Sequence, residues 1–202
     1  MIAIIDYGMG NIHSVNKALQ LFGARTLVTN KPEEIASADK AVLPGVGAFD
    51  DAKLELEKQG LVKCLLKFVK AKKPLFGICL GMQLFFEESE EAVKSKGLGL
   101  FKGKVQRFQE SKSQKVPHMG WNQIKKVQGE CPLFKGVEES SFVYFCHSYY
   151  PLPGEKKDIA GTTPYGEDFA SMVWRENLFG VQFHPEKSQS VGLRILKNFV
   201  EL

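Results

Sequence analysis

Pro74-Leu-Phe-Gly-Ile-Cys79-Leu-Gly-Met-Gln-Leu-Phe-Phe-Glu-Glu-Ser89 changes character at its cysteine. Pro74 to Ile78 is a short apolar run of strand length. Leu80 to Glu88 lacks β-branched residues and turns acidic at its end, so it reads as a helix. Cys79 stands at the joint, between Gly77 and Gly81. That is the G-x-nucleophile-x-G spacing of a nucleophile elbow, with Cys as the nucleophile. A sharp strand-to-helix turn strains the backbone, and flanking glycines give it room. The turn lifts the sulfur clear of a sheet and over the first N–H groups of a helix, which favour negative charge.

Upstream, the same strand-then-helix rhythm repeats. Ile2 to Ile5 is an apolar first strand, and Gly8, Gly10 and Asn11 form the turn after it. Ile12, Val15, Leu19 and Phe22 follow at helical spacing. A dinucleotide-binding G-x-G-x-x-G is excluded because His13 holds the third glycine's place. Ala24 to Thr29 is a second strand, and Asn30 is expected to cap a short helix carrying Pro32 in its first turn. Lys40 to Leu43 is a third strand, leading into Pro44-Gly-Val-Gly47. A helical pattern broken at Gly60 comes next, its second segment presenting Leu61, Val62, Leu65, Leu66 and Val69 on one face. Apolar strands alternating with helices predict an α/β fold with a parallel, doubly wound sheet. Ligands of such sheets lie beyond the carboxyl ends of the strands, where both Gly45-Val-Gly47 and Cys79 fall.

The second half has a different texture. Leu98–Phe108, Trp121–Val127, Phe142–Tyr149, Ile159–Thr163, Ala170–Trp174 and Phe179–Phe183 read as strands separated by turns, without long helices between them. They are expected to extend the sheet as antiparallel or mixed strands. Ser190 to Leu202 closes the chain as a helix with Val191, Ile195 and Phe199 on one face. No repeat or linker interrupts the pattern. The 202 residues, 44% of them hydrophobic, support one good core, so 1–202 is expected to be a single domain.

Charge and cysteine usage narrow the class. A net charge of +4 and a pI near 8.8 are mild, and no basic-aromatic array suggests nucleic acid. The densest basic cluster, Lys70, Lys72 and Lys73, fits a solvated helix end. No apolar run reaches membrane-span length, so a soluble, cytoplasmic protein without a membrane partner is expected. Cys64, Cys131 and Cys146 form no C-x-x-C pair and no zinc spacing with histidine, and are expected as small core residues. Neither metal nor cofactor is called for.

A cysteine nucleophile needs a base and a group to orient it. Val181-Gln-Phe-His-Pro-Glu186 ends an apolar strand. In an extended segment His184 and Glu186 share a face, so Glu186 can hold one ring nitrogen and aim the other at sulfur.

Gly77-Ile-Cys-Leu-Gly-Met-Gln83 together with Phe183-His-Pro-Glu186 resembles the class I (triad) glutamine amidotransferases. Pro44-Gly-Val-Gly-Ala-Phe49, Pro117-His-Met-Gly-Trp-Asn122 and His184-Pro-Glu-Lys-Ser188 are similar to the glutaminase subunits of imidazole glycerol phosphate synthases. The resemblance spans nearly the whole chain. It implies a flavodoxin-like three-layer fold with a mostly parallel central sheet extended by antiparallel strands. It also implies Cys79, His184 and Glu186 as the catalytic triad, with oxyanion donors from Leu80 and from Val46 or Gly47. Gln83, Gly47 and the backbone near His147, Ser148 and Tyr149 would hold glutamine. No cofactor is implied. The implied partner is a (β/α)8 cyclase subunit, which receives the ammonia and forms imidazole glycerol phosphate and aminoimidazole carboxamide ribotide in histidine biosynthesis. His118, Met119, Trp121 and Asn122 are the expected partner-facing residues, since Trp and Met favour interfaces. A paralogue feeding ammonia to another synthase, a stand-alone Cys hydrolase, and a silent binding module of the same fold remain alternatives.

Overall fold

The structure, a computed structural model, describes residues 1–111 and 114–202. The first half builds β1 (Ile2–Ile5), α1 (Ile12–Gln20), β2 (Thr26–Thr29), α2 (Pro32–Ser37), β3 (Lys40–Gly45), α3 (Phe49–Lys58), α4 (Leu61–Lys70), β4 (Leu75–Cys79) and α5 (Leu80–Gln83). The rest comprises β5 (Glu88–Ser89), β6 (Gly103–Arg107), β7 (His118–Lys126), β8 (Ser141–His147), β9 (Tyr149–Pro153), β10 (Ile159–Tyr165), β11 (Glu167–Arg175), β12 (Leu178–Val181) and α6 (Gln189–Glu201). Among the described residues, the main sheet has nine strands in the order β2-β1-β3-β4-β12-β11-β10-β7-β8. The strands from β2 to β12 run parallel, and the remaining four are added antiparallel.

The apolar strands are explained by the layers that cover them. Ile2 and Ile4 pack with Val15 and Leu19 of α1 and Ile195 and Phe199 of α6, on one face of the sheet. Ala3 and Ile5 pack on the other face with Ile35 of α2, Phe49 and Leu56 of α3, and Leu65 and Phe68 of α4. A parallel sheet buried on both faces needs continuous apolar strands, which is what β1, β3 and β4 supply. Phe76 of β4 meets Phe199 of α6 with ring centroids 5.1 Å apart, tying the closing helix to the elbow strand.

Several sequence expectations need correcting. The helix after Cys79 ends at Gln83 rather than reaching Glu88. Leu84, Phe85 and Phe86 are all fully buried. The chain leaves the helix instead, and the Leu84, Phe85 and Phe86 carbonyls accept from Leu98, Leu100, Phe101 and Gly99. Asn30 caps nothing; Lys31 is the N-cap of α2, and its N–H donates to the Thr29 hydroxyl. The buried face of α4 is Leu61, Cys64, Leu65 and Phe68, rotated from the expected one, and Leu66 points outward. Of Leu98–Phe108 only Gly103–Arg107 is strand, and it joins β5 and β9 in a separate three-stranded sheet. Among the described residues no helix is long and apolar enough to cross a membrane.

Candidate active site

β3 and β4 lie side by side in parallel, with Gly45 in register with Cys79, so two loops leave the sheet at one edge. Cys79 turns there with φ 53° and ψ −112°, a conformation that L-residues avoid. Two glycines make the turn possible. A Cβ on Gly77 would lie 2.8 Å from the Met82 nitrogen, and one on Gly81 would run into the Leu43 carbonyl. The Cys79 side chain lies beneath a cavity of about 380 Å³ that Val46, Gly47, Leu80, Gln83 and His184 also line.

β12 pairs with β4 in parallel, Val181 opposite Ile78, and so delivers the residues after Val181 to the same edge. His184 is almost fully buried, and its Nδ1 lies 3.0 Å from Glu186 Oε1. The Cys79 side chain lies near enough to the ring to raise its pKa. Burial alone would pull the imidazole down, but the hydrogen bonds to Cys79 and Glu186 and the charges of both push it up to about 10. The ring therefore carries its proton at neutral pH, beside the sulfur. Glu186 Oε1 also accepts from Asn11 Nδ2 at 3.2 Å. The Gly8–Asn11 turn thus serves the far side of the site.

A cysteine, a histidine and a glutamate brought together in this way can attack a carbonyl and shuttle one proton. The comparisons with known proteins agree with that chemistry. Residues 3–202 match the sequence profile of the family "Glutamine amidotransferase class-I".

The chain belongs to the class I glutamine amidotransferases.

Among its amidotransferase relatives, the imidazole glycerol phosphate synthase subunit HisH of Syntrophotalea carbinolica is 49% identical over 207 residues, covering 100% of each chain. The protein of the same name from Bacillus cereus is 50% identical, covering 98% of this chain and 93% of its own. That of Methanocaldococcus jannaschii is 48% identical over 100% of both. Solved structures share the fold: PurLQS from Thermotoga maritima superposes with a TM-score of 0.77 at 16% identity, covering 99% of this chain and 97% of that one. The glutaminase domain of CTPS from Trypanosoma brucei gives 0.66 at 16%, covering 98% and 91%.

Within this amidotransferase the other residues singled out from sequence divide. Ser148, Tyr149 and His147 line the cavity with Gln83. The His147 ring, however, is turned into the protein, its Nε2 3.0 Å from His118 Nδ1 and its Nδ1 2.8 Å from the Tyr149 carbonyl. Burial holds these two imidazoles down, at about 3 for His147 and about 4 for His118. Met119 and Trp121 are 61% and 46% exposed, on the strand whose first residue follows Pro117 at the cavity wall. His118 differs: its ring is buried, stacked on Phe145 and Tyr165. Asn122 is half-buried, its amide donating to the Pro164 carbonyl at 2.8 Å. Alternation along β7 explains the split, since His118 and Asn122 lie on the face opposite Met119 and Trp121. Cys64 and Cys131 are core residues as expected, whereas Cys146 is half-buried and borders the cavity.

Three polar residues at the amidotransferase site escaped the sequence reading. Gln182 is fully buried and donates to Cys79 Sγ at 3.5 Å. The alternation that pairs His184 with Glu186 reaches back to residue 182 as well, so a signal for it existed. Asn11 was visible only as a turn residue. Glu91 borders the cavity and accepts from the Phe49 N–H at 3.0 Å; it lies in an irregular segment where no periodicity points to it.

Proposed function

We propose that this chain is the glutaminase subunit of an imidazole glycerol phosphate synthase, working as one domain over residues 1–202. The observation that carries this reading is His184, held between the Cys79 sulfur and Glu186 at one edge of the sheet. The full-length likeness to the HisH proteins supports the choice of synthase.

In this reading the Cys79 sulfur attacks the side-chain carbonyl carbon of glutamine, and His184 gives its proton to the departing ammonia. The C–N bond breaks and a glutamyl thioester remains. His184 then takes a proton from water, the resulting hydroxide adds to the thioester, and glutamate leaves as the sulfur is regained. Glu186, fixed by Asn11, keeps the imidazole aimed. Leu80 and either Val46 or Gly47 supply N–H groups to the oxyanion. The cavity takes the amino-acid end of glutamine, with Gln83 and the Ser148–Tyr149 backbone on one wall. Glu91 there is a carboxylate suited to the substrate's ammonium group, though burial raises its pKa.

Ammonia released into water would be protonated and lost as a nucleophile. A (β/α)8 cyclase subunit seated over Met119 and Trp121 would receive it directly, in the cytoplasm, and complete the histidine-pathway reaction. The test is complementation of a histidine auxotroph that lacks the glutaminase, with glutamine hydrolysis assayed beside the cyclase. Growth with glutamine-dependent product formation supports the reading. Failure to complement, with growth restored instead in a strain lacking another glutamine-dependent synthase, would overturn it.

A further inference from the structure

We infer that Gln182 is a positioning residue for the nucleophile, its amide turned to donate to the Cys79 sulfur by a hydrogen-bonded chain that begins at the Tyr149 carbonyl, which the His118–His147 pair also holds. The inference rests on the glutaminase reading of Cys79. It concerns a side chain that is fully buried and acts through the sulfur.

The direction of the chain follows from groups whose chemistry is fixed. The Tyr149 carbonyl can only accept, and it faces Gln83 Nε2 at 2.9 Å and His147 Nδ1 at 2.8 Å. The Gln83 atom there is therefore its NH2, and its second N–H goes to Gln182 Oε1 at 3.0 Å. That leaves the Gln182 NH2 on the Cys79 sulfur at 3.5 Å. A flipped Gln182 would set NH2 against NH2 and an oxygen against the sulfur, two repulsions in place of two bonds. On the other branch His147 donates from Nδ1, so its Nε2 must accept from His118 Nδ1–H at 3.0 Å. His118 Nε2 then accepts from Asn122 Nδ2 at 3.2 Å, and Asn122 is itself fixed by Pro164 O and Gln123 N–H. Every link is a neutral donor meeting an acceptor. Burial keeps both histidines neutral, as the chain requires.

A thiolate accepts several hydrogen bonds. With His184 on one side and the Gln182 N–H on another, the sulfur is held toward the cavity and its charge is shared before attack. Losing a hydrogen bond to a charged group weakens that state by about tenfold or more. Gln182 does not reach the cavity, so where its bond to Gln83 is kept the loss should fall on the chemical step and spare glutamine binding.

The test uses two variants. Q182E keeps the shape and still accepts from Gln83, but removes the N–H. Q182M keeps the volume and removes both groups, which guards against a buried charge unfolding Q182E. Two quantities are read: kcat and KM for glutamine in the complex with the cyclase and acceptor, and the rate at which iodoacetamide alkylates Cys79 in the chain alone. The expectation is that the alkylation rate falls about tenfold or more in both variants, and that in Q182E, which keeps the bond to Gln83, kcat falls by as much while KM stays within about twofold. An alkylation rate within about twofold of wild type in folded Q182M overturns the inference, as does a raised KM with kcat unchanged in Q182E. If the wild-type complex does not hydrolyse glutamine, the glutaminase reading fails, and the alkylation ratio still decides the role of Gln182.

Discussion

Gly81 lies directly against the Leu43 carbonyl, so close that a single added methyl group would overlap the oxygen. The oxygen belongs to β3, at the centre of the parallel sheet, and has no room to retreat. G81A should therefore cost more than the about 1–3 kcal/mol typical of overpacking a core. Gly60 is the control, since it has φ 70° but nothing within 4 Å of where a Cβ would stand. G60N, in a region that Asn tolerates, should cost less than about 1 kcal/mol. Urea denaturation midpoints of both variants check the contrast; equal losses would mean the contact at Gly81 does not matter.

C79S should keep the fold, abolish glutamine hydrolysis, and leave ammonia-dependent synthesis intact in the complex with the cyclase. Electrophilic glutamine analogues should label Cys79 and spare Cys64 and Cys131, which are buried in the core. Cys146 is the informative competitor because it borders the same cavity. Peptide mapping by mass spectrometry reads the site. Labelling of Cys146 at a rate similar to Cys79 would remove the elbow argument.

The elbow and the His184–Glu186 turn were legible because both depend on local rules. Gly77-x-Cys-x-Gly81 fixes a turn through sterics, and two-residue alternation puts His184 and Glu186 on one face. The parallel half of the sheet was legible for a similar reason, as strands buried on both faces must be apolar throughout. What failed depended on distant contacts. The helix after Cys79 looked long until Leu98–Phe101 took the carbonyls of Leu84, Phe85 and Phe86. His118 falls among the expected partner-facing residues because Met119 and Trp121 beside it are types that favour interfaces, while Phe145 and Tyr165, which cover its ring, are remote in sequence. Asn11 reaches Glu186 across 175 positions, beyond any local pattern.

His184 ties stability to pH at the alkaline side. Its folded value, about 10, stands above its ordinary 6.5, so the protonated ring stabilises the fold. That contribution is fully present below 6.5 and is lost as pH rises through about 10. Removing Cys79 removes a partner that raises it. Chemical denaturation across this range should show wild type losing more stability than C79S, and the His184 ring signal in NMR should titrate at lower pH in the variant. Parallel stability curves would deny the Cys79–His184 pairing.

His118 and His147 act with the opposite sign. Their folded values, about 4 and about 3, stand below the ordinary 6.5, so the fold favours the neutral rings. Their contribution is present above 6.5 and is lost as pH falls toward those values. Each histidine adds a slope of about 1.4 kcal/mol per pH unit. Protonating His147 sets donor against donor at His118, and protonating His118 does the same at Asn122. Unfolding free energy measured between pH 6.5 and 4 should fall accordingly. A flat profile down to pH 4 would mean that neither ring's value is lowered by the fold.

The loop after β3 is the place where activity can be gated. Gly45 is not free to move: a Cβ there would lie 2.7 Å from the Tyr7 hydroxyl and 2.8 Å from the Gly81 nitrogen, and Tyr7 donates to the Pro44 carbonyl at 2.9 Å. The packing therefore restricts a peptide flip to Val46 and Gly47. Val46 is 42% exposed, and Gly47 has φ 95°, a conformation open to glycine. A glutaminase that never switched off would waste glutamine, so docking of the cyclase with its acceptor bound is expected to favour the loop that turns an N–H toward the oxyanion. Losing one such donor typically costs ~10²–10³ in rate, so activation of at least that order is expected. G47P removes an N–H and demands φ near −65°. It should depress the activated rate far more than the basal rate, in steady-state glutamine hydrolysis by this chain on its own, with the cyclase, and with cyclase plus an acceptor analogue. Equal kcat/KM in all three states of the wild type would refute the switch and leave the triad standing, whereas equal depression of both rates in G47P would move the gate away from this loop.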